Sequence, residues 1–312
     1  MKRKIILSFV LSAIVISINA QEYNMKINKV NGEVHTIATS EIKDVMFEEI
    51  KGKEEEPQDE PRFITMGGKK WAMGNLVYDN GKWRIAANQW EYFNAVYGRA
   101  GEGNTKCKLS DTQVDHFRWG VLGNAAITQG SDVVKAFGNG SWDIYNISGK
   151  MYKDIDCKDE TKNFDEAKYG DLAFWATKGK WRMPSKADWN YLKDGCDWQL
   201  GYITLDNGKQ LYGCLITEAA GDFGETNTIA KEFSKAEVEK NLFLPLAGYR
   251  FENKIKNAGY GGYYWTSQLF NKTDNYAFEV SFDRDGFYIN QNGGDANNGN
   301  CIRPILVETK IK

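Results

Sequence analysis

The sequence predicts an α+β protein in which irregular β-sheets and long loops outweigh one or two helices. In residues 242–306, short apolar runs such as LFLPLAGYR and YAFEVSF alternate with polar stretches and show no helical period. An Asn-Gly pair at residues 31–32 lies between alternating apolar residues, which is the strongest short hairpin signal. The run WRMPS at Trp181–Ser185 is typical of a strand that turns into a helix. These observations predict a sheet-rich domain that follows a small β-hairpin unit.

The first residues indicate an export signal. Three basic residues at positions 2–4 precede an apolar stretch, Ile5–Ile18, and Ala20 is a small residue at the expected cleavage point. This order is typical of a secretory signal peptide over residues 1–20, and the apolar stretch is too short to favour a membrane span. We expect an exported protein in the periplasm, at the outer surface or outside the cell. We expect no transmembrane segment after the signal is removed.

Composition divides the rest of the chain into three parts and a tail. Residues 21–49 form the small hairpin unit. Residues 50–61 carry clustered charge and almost no large apolar side chain, which is typical of an acidic linker. Residues 62–307 form the larger domain, with a long Gly-rich insertion at about residues 98–170. Residues 308–312 are the tail.

Local signals predict the elements of the larger domain. Asn88–Tyr97 is predicted as a short helix. Ser185 is a good N-cap, and Asp188 three residues later completes a capping box for a second helix. Ser234–Lys240 is predicted as a helical turn. Tyr276–Phe282 alternates apolar and polar residues, so we expect a strand with one dry face and one wet face, and Cys301–Val307 is predicted as the last strand.

Charge, cysteine and histidine content exclude some functions. The formal net charge of −2 leaves no basic footprint for nucleic acid. With only His35 and His116, we expect neither a His-based zinc site nor a Ser-His-Asp triad. The cysteines are Cys107, Cys157, Cys196, Cys214 and Cys301. Their odd number leaves at least one thiol unpaired or paired between chains, although a bridge between Cys107 and Cys157 could staple the insertion.

Several motifs occur in an order that resembles a known family. They are GKKWAMGNL, GKWRIAANQWEYF, HFRWG, SWDIYN, GKWRMPSKADWNYL, LFLPLAGYR, GYYWTSQ and GNCIRPIL. The ordered set, from Phe63 to Val307, resembles the secreted major paralogous domains of Bacteroidetes and Fibrobacter. The resemblance implies a C-type-lectin-like fold. It also implies a secreted or cell-surface binding module, similar to an adhesin and not an enzyme, with a glycan or protein ligand at a surface.

The resemblance implies that the ligand binds just before the last strand. After Phe282 the sequence is rich in Asp, Asn and Gly, and Asp283–Asn300 is predicted as a polar loop. The candidate ligand residues in this loop are Asp283, Arg284, Asp285, Tyr288, Asn290, Asn292, Asp295, Asn297 and Asn298. Tyr260 and Tyr263 join them as rings that we expect near the surface, whereas Trp265 is expected in the core.

The chain departs from related families at its cysteines and its sugar-binding signatures. Members of the group often carry a Cys just before the WRMP-type motif, but residues 178–180 are Lys-Gly-Lys. Cys301, which matches the family's C-terminal Cys, therefore lacks its usual partner. Formylglycine-generating enzymes, which share the broad fold, use two closely spaced Cys that this chain does not have. The Glu-Pro-Asn and Trp-Asn-Asp signatures of animal C-type lectins are also absent.

Other functions remain open at the level of sequence. Asp283–Gly286 resembles the start of a calcium loop but lacks the later carboxylates, so a tight polar turn is favoured. Asp295 would add one calcium ligand, which keeps the ion as an option; we expect no other cofactor. The alternatives to a binding module are a structural surface or fimbrial subunit and a secreted hydrolase. A hydrolase would use two carboxylates, as in the pairs Glu91 with Asp115 or Asp171 with Asp188.

Overall fold

The computed structural model describes residues 24–28, 34–38, 61–98, 107–128, 169–218, 231–271, 276–283, 286–289 and 293–308. The chain divides into two units, residues 1–58 and residues 59–312. The predicted signal peptide, the predicted linker except Pro61, and most of the predicted insertion, including Cys157, lie outside the described residues. None of the helices in the described ranges has the length and apolar character needed to cross a bilayer.

In the first unit, two strands form an antiparallel ribbon. They are β1 (Asn24–Asn28) and β2 (Val34–Ala38), and the register places Ile27 opposite His35. This pairing agrees with the hairpin that the Asn-Gly pair predicts, because the two strands end on either side of it.

The second unit consists mostly of β-sheet with a few short helices. Its described strands are β3 (Phe63–Met66), β4 (Lys69–Ala72), β5 (Leu76–Asp79), β6 (Lys82–Ile85), β7 (Cys107–Lys108), β8 (Gln113–Val114), β9 (Phe117–Arg118), β10 (Trp181–Arg182), β11 (Asp197–Thr204), β12 (Gln210–Thr217), β13 (Lys231–Phe233), β14 (Leu242–Pro245), β15 (Tyr249–Phe251), β16 (Lys254–Lys256), β17 (Gly262–Asn271), β18 (Tyr276–Asp283), β19 (Gly286–Ile289), β20 (Gly294–Asp295), β21 (Gly299–Asn300) and β22 (Ile305–Leu306). Its described helices are α1 (Asn124–Ile127), α2 (Leu172–Ala176), α3 (Lys186–Gly195) and α4 (Lys235–Lys240). At this level the structure is consistent with the predicted α+β class.

The strands of the second unit form several small sheets rather than one large one. Their orders are β10-β22-β4-β3, β13-β11-β12-β14, β7-β16-β15-β21-β9, β17-β18-β19 with β20 also on β18, and β6-β5-β8. The last strand, β22, lies between β4 and β10, with Ile305 opposite both Trp71 and Arg182. The predicted strand over Cys301–Val307 is regular only at β22, although Cys301 makes an isolated bridge with Tyr264.

The ribbon of β17 and β18 separates two hydrophobic cores. Tyr264 and Val280 pack in one cluster, which also holds Trp71, Trp189 and the strands β12 and β14. Trp265 and Ala277 pack in the other, together with the residues around Trp119. Successive residues of a strand point to opposite faces, so the ribbon contributes one face to each core. The expectation of a wet face is therefore wrong at Glu279, which is only 9% exposed.

Helix-start signals predict α3 and α4 well, but the first predicted helix does not form. Ser185 caps α3 in a capping box with Asp188, and Ser234 caps α4 in the same way. Asn88–Tyr97 contains turns instead of a helix. There the Asn88 side chain accepts a hydrogen bond from the Trp90 amide at 3.2 Å, which is one of the local bonds that compete with a helix.

Candidate functional site

The predicted polar loop is built largely from short strands. Asp283 at the end of β18 pairs with Gly286 at the start of β19, and the two residues of the predicted tight turn between them lie outside the described residues. Further along, β20 pairs with the other end of β18, and Asp295 lies opposite Tyr276. Among the candidate residues, Arg284, Asp285, Asn290 and Asn292 lie outside the described residues, and Tyr288 is placed only by its register opposite Ser281.

This register separates the two predicted calcium ligands. Asp283 and the partner of Asp295 stand at opposite ends of β18, roughly 23 Å apart at the usual rise of a strand. Asp295 therefore cannot complete a calcium site around Asp283, and the expectation that both share one surface is wrong. Within the described ranges, no group of three or more His, Cys, Asp or Glu residues is arranged to hold a metal ion.

Strand β21 divides the candidate residues between two faces. Gly299 lies opposite Arg250 on one neighbouring strand and opposite Arg118 on the other. Residues directly opposite each other share a face, and the next residue along each strand points to the other face. Arg118 and Arg250 therefore share one face, while Tyr249 and Asn300 lie on the other.

The face of Tyr249 carries a cluster of aromatic and polar side chains. We call it the tyrosine patch, and its members are Tyr249, Asn257, Tyr263, Glu279, Ser281, Asp283 and Asn300. The rings of Tyr249 and Tyr263 meet edge to face with centroids 4.9 Å apart. Asn257 Nδ2 donates to the Tyr263 hydroxyl at 3.0 Å, and Asn300 Nδ2 donates to Glu279 Oε2 at 2.7 Å. Ser281 lies opposite Tyr263 in the register.

The two tyrosines of the patch stay neutral over the physiological pH range. Burial raises the pKa of Tyr263 to about 12, and the charges of Glu279 and Asp283 add to the effect. Burial also raises the pKa of Tyr249, again with a contribution from Glu279. Neutral phenols can donate and accept hydrogen bonds, and ionised carboxylates accept them. Because both rings are partly exposed, the patch can combine ring contact with several hydrogen bonds.

Tyr260 does not belong to this patch. It is 7% exposed, so the expectation that it lies near the surface is wrong. Asn257 has a positive φ of 58°, and its carbonyl accepts from the amides of both Tyr260 and Gly261 at 3.0 Å. This tight turn brings Tyr260 into the interior. Trp265 is fully buried, as expected, and its Nε1 donates to the Phe117 carbonyl at 2.6 Å.

On the other face, the candidate residues of β20 and the turn after it bind the protein itself. Asp295 Oδ1 accepts from the Asn297 amide at 2.9 Å, and the Asp295 carbonyl accepts from the Asn298 amide at 2.9 Å. Asn297 Oδ1 accepts from Arg118 Nη2 at 3.4 Å. These residues are partly buried and belong to the surroundings of Arg118, not to the tyrosine patch.

The structure also brings together a buried Cys-His-Asp group that the sequence does not predict. His116 Nδ1 is 2.6 Å from Asp115 Oδ1, and Nε2 is 3.0 Å from the Ala247 carbonyl oxygen. A carboxylate and a carbonyl can only accept, so both ring nitrogens must carry protons and His116 is an imidazolium. The only sequence signal for this pair is an Asp-His step beside the apolar residues of HFRWG.

The surroundings of His116 stabilise its charge. Burial alone would lower the pKa of His116, but the charge of Asp115 and the hydrogen bonds with Asp115 and Cys301 outweigh burial and raise it well above 6.5. Burial raises the pKa of Cys301 above its ordinary value of 9.0, so its thiol is neutral near pH 7. Asp115 therefore supplies the negative charge that holds the imidazolium.

This group is enclosed in the interior. Asp115, His116 and Cys301 are fully buried, and the two ring nitrogens of His116 face Asp115 and the Ala247 carbonyl. The second oxygen of Asp115 accepts from the Phe93 amide at 2.6 Å. The bonds of Asp115 and His116 therefore tie three distant parts of the chain together.

The carboxylates that could serve a hydrolase also have structural partners. Glu91 accepts from Arg84 at 2.6 Å and from the Ala87 amide at 2.7 Å. Asp171 caps α2 and accepts from the Met183 amide at 2.8 Å. Asp188 caps α3 and forms an ion pair with Arg182 at 2.9 Å. Together with the bonds of Asp115 described above, these bonds give each of the four acids a structural role.

Comparison with known proteins adds no relative. No protein-family model, no curated protein and no solved structure matches the chain.

Proposed function

We propose that the protein is an exported, non-catalytic binding module, similar to an adhesin, whose ligand occupies the tyrosine patch. The observation that carries this proposal is the pair of partly exposed, neutral tyrosines beside the partly exposed carboxylate of Asp283. Such a patch offers ring surface, hydroxyl groups and acceptor oxygens within one small area.

We further propose that the second unit has a C-type-lectin-like fold. The ordered motifs of the sequence, the many short strands and the few helices support it. The position of β22 between β4 and β10 also supports it, because it joins the last strand to an early one. Fold alone does not define activity, so the function rests on the patch.

The patch suits a saccharide better than an apolar ligand. Sugars present an apolar ring face together with many hydroxyl groups, and tyrosine rings and carboxylates match both features. Each hydrogen bond contributes only about 0.5–1.5 kcal/mol net. Useful affinity therefore requires several such bonds at once together with contact to a ring.

The proposal is tested with the mature chain from Gln21 on glycan and protein arrays. We expect binding to glycans that falls by about tenfold or more in the double variant Tyr249→Ala, Asp283→Asn, since 1.4 kcal/mol is a factor of ten in affinity. Tyr191→Ala is the matched control, because Tyr191 is a 57% exposed tyrosine on α3 outside the patch. Its binding should equal that of the wild type.

Three results would contradict the proposal. A broad hydrolase panel that finds turnover, abolished by a single carboxylate substitution, would favour the enzyme alternative. Polymerisation that requires residues 21–49 would favour the structural-subunit alternative, since an isolated two-stranded hairpin such as β1–β2 is at best marginally stable in water. Undiminished glycan binding by the double variant would remove the ligand from the tyrosine patch.

A further inference from the structure

The face opposite Tyr249 buries two arginines close together. Arg118 on β9 is 6% exposed and Arg250 on β15 is 1% exposed. They flank Gly299 in adjacent strands, so their Cα atoms are roughly 10 Å apart at the usual strand spacing. Gly299 leaves room for this arrangement, because a Cβ atom there would lie 2.9 Å from Arg250 Nε. Two buried cations on one face need negative groups nearby.

The bonds of these arginines go mostly to neutral oxygens. Arg250 Nη1 donates to the Ile127 carbonyl at 2.9 Å, and Arg118 Nη1 donates to the Ala125 carbonyl at 3.2 Å. Both carbonyls belong to the short helix α1. In the described part of the chain, neither guanidinium has a carboxylate within ion-pair distance, although the charge of Asp295 acts on Arg118. Burial lowers the pKa of Arg250 to about 10, and the charge of Arg118 adds to this effect.

One edge of Arg118 is left with little to bind. Its Nε is buried and has no hydrogen-bond partner among the described residues. Within the same ranges, its Nη2 donates to Asn297 Oδ1 alone, at the long distance of 3.4 Å. The N–H groups of Nε and Nη2 point in the same direction, and their spacing matches two oxygens of a carboxylate, sulfate or phosphate. In the described part of the chain, the bidentate edge of a nine-tenths buried guanidinium therefore lacks the two acceptor oxygens that it could bind.

We propose that the Nε–Nη2 edge of Arg118, with Asn297 beside it, binds one oxyanion group of a ligand. The group is a carboxylate, a sulfate or a phosphate, and the nearby charge of Arg250 adds to its attraction. Asn297 and Thr128 stand at the rim, where Asn297 is partly exposed and Thr128 is exposed. This site lies on the other face from the tyrosine patch and does not depend on the function proposed for that patch.

Asp295 is the natural competitor for this edge. Its charge acts on Arg118, and its Oδ1 is held by the Asn297 amide at 2.9 Å. An oxyanion bound to Arg118 would be repelled by the Asp295 carboxylate. Asp295→Asn should therefore tighten oxyanion binding by a factor on the order of ten, as expected for two like charges a few ångströms apart in a partly buried site.

The test follows the arginine Nε–H signals by NMR in the ¹⁵N-labelled mature chain. Sodium sulfate, sodium phosphate and sodium acetate are titrated separately, each against sodium chloride at equal ionic strength. We expect a saturable shift of the Arg118 Nε–H signal with at least one oxyanion. Arg84 is the internal control, because its Nε and Nη2 already donate to Asp79 at 3.3 and 2.9 Å. Its signal should stay in place.

The pattern of shifts identifies the ligand class or overturns the proposal. A response to acetate alone assigns a carboxylate, and a response to sulfate or phosphate assigns a tetrahedral anion. A shift no larger than that in chloride overturns the proposal. So does an Arg118 signal that moves in Asp295→Asn without added anion and ignores all three salts, because Asp295 would then be the partner of Arg118. The signal that disappears in Arg118→Lys is the one that belongs to Arg118. If Arg118→Lys does not fold, the titrations of the wild type and of Asp295→Asn still test the proposal. A failure here leaves the array result for the tyrosine patch untouched.

Discussion

At the scale of single residues, His116 is the clearest case of a side chain whose state follows from its partners. Its two ring nitrogens face two obligate acceptors, Asp115 and the Ala247 carbonyl. A buried imidazolium is costly unless it is paired, and the Asp115 carboxylate provides that pairing. The ion pair lies in the segment before β9. His116 connects this segment to Ala247, which follows β14, and Asp115 connects it to Phe93 in the turns after β6.

We predict that His116→Gln destabilises the protein by about 3–5 kcal/mol, because it leaves the Asp115 carboxylate buried without a cation. The pKa of His116 is raised in the folded state, so its contribution to stability is fully present below pH 6.5. That contribution is lost as pH rises through the raised pKa. Urea unfolding of wild type and variant at several pH values should show the largest difference at low pH. A ring ¹⁵N spectrum with one unprotonated nitrogen at pH 7 would refute the imidazolium.

Gln89 is a second residue whose importance depends on distant partners. Its Nε2 donates to the Asn241 carbonyl at 2.8 Å, and its Oε1 accepts from the Phe243 amide at 2.8 Å. The same Oε1 accepts from Arg303 Nη1 at 3.1 Å. Burial lowers the pKa of Arg303 to about 10, so this guanidinium stays charged while neutral oxygens surround it.

Gln89→Ala should cost about 3 kcal/mol or more of unfolding free energy. It removes an acceptor from the buried Arg303 and leaves the Phe243 amide unpaired, and each such loss costs about 1–3 kcal/mol. Gln199→Ala is the matched control, since Gln199 is partly exposed and its side chain, within the described ranges, bonds Lys231 alone, at 3.1 Å. Denaturant unfolding should place the control within about 0.5 kcal/mol of the wild type. If the two substitutions lowered the free energy of unfolding equally, the bonds of Gln89 would contribute no more to stability than a partly exposed bond.

At the scale of elements, the two capped helices differ in what surrounds the cap. Both α3 and α4 begin with a Ser in a complete capping box. Asp188 in the box of α3 also binds Arg182 at 2.9 Å, and its side chain is only 8% exposed. Burial would raise the pKa of Asp188, but hydrogen bonds from Arg182 and Ser185 outweigh burial and lower it. Glu237 in the box of α4 accepts hydrogen bonds from the amide and the hydroxyl of Ser234, which are neutral groups.

Asp188→Ala should therefore destabilise the protein by about 2–3 kcal/mol, more than the roughly 0.5–1 kcal/mol expected for Glu237→Ala. Because the pKa of Asp188 is lowered on folding, its contribution is present above pH 3.8 and is lost as pH falls through the folded pKa. Thermal unfolding at pH 7 and at pH 3 measures both effects. The difference between the two variants should be smaller at pH 3 than at pH 7; a constant difference would show that the ion pair contributes little.

Local signals in the sequence predict elements well and their surroundings poorly. The β1–β2 hairpin and the starts of α3 and α4 depend on a few adjacent residues, and all appear where predicted. Glu279 was expected on a wet face because it alternates with apolar residues. It is buried because the rest of the unit covers the ribbon on both faces, and a local sequence pattern cannot predict such long-range packing. The separation of Asp283 from Asp295 likewise depends on strand register, which is decided by long-range pairing.

At the scale of the whole molecule, the second unit is organised around the β17–β18 ribbon. Its residues complete both cores, so neither core is closed without it. The candidate ligand residues follow the same organisation. The sequence places them on one surface, but the register of β21 and of the β17–β18 ribbon puts them on two different faces. The sequence located several of the residues involved, such as Tyr263 and Asp283, but it could not separate the faces.

Three buried thiols should be inert in the folded protein. Cys196, Cys214 and Cys301 are buried and form no disulfide. Burial raises the pKa of Cys196 to about 11 and raises the pKa values of Cys214 and Cys301 as well, and the neutral thiol is a poor nucleophile. Alkylation followed by peptide mass spectrometry should label these three residues in denaturant and leave them unlabelled in buffer. Fast labelling of Cys301 in buffer would contradict its burial beside His116.

The place of β22 between β4 and β10 has a consequence for how the chain is made. Both neighbours emerge from the ribosome long before Ile305 and Leu306. Until then β4 pairs with β3 along one edge only, and β10 has no partner strand among those described. Pairings between residues so far apart in the chain form slowly, because a long loop must close first. This sheet therefore stays incomplete between β4 and β10 until Ile305 and Leu306 have been synthesised and can pair with both strands.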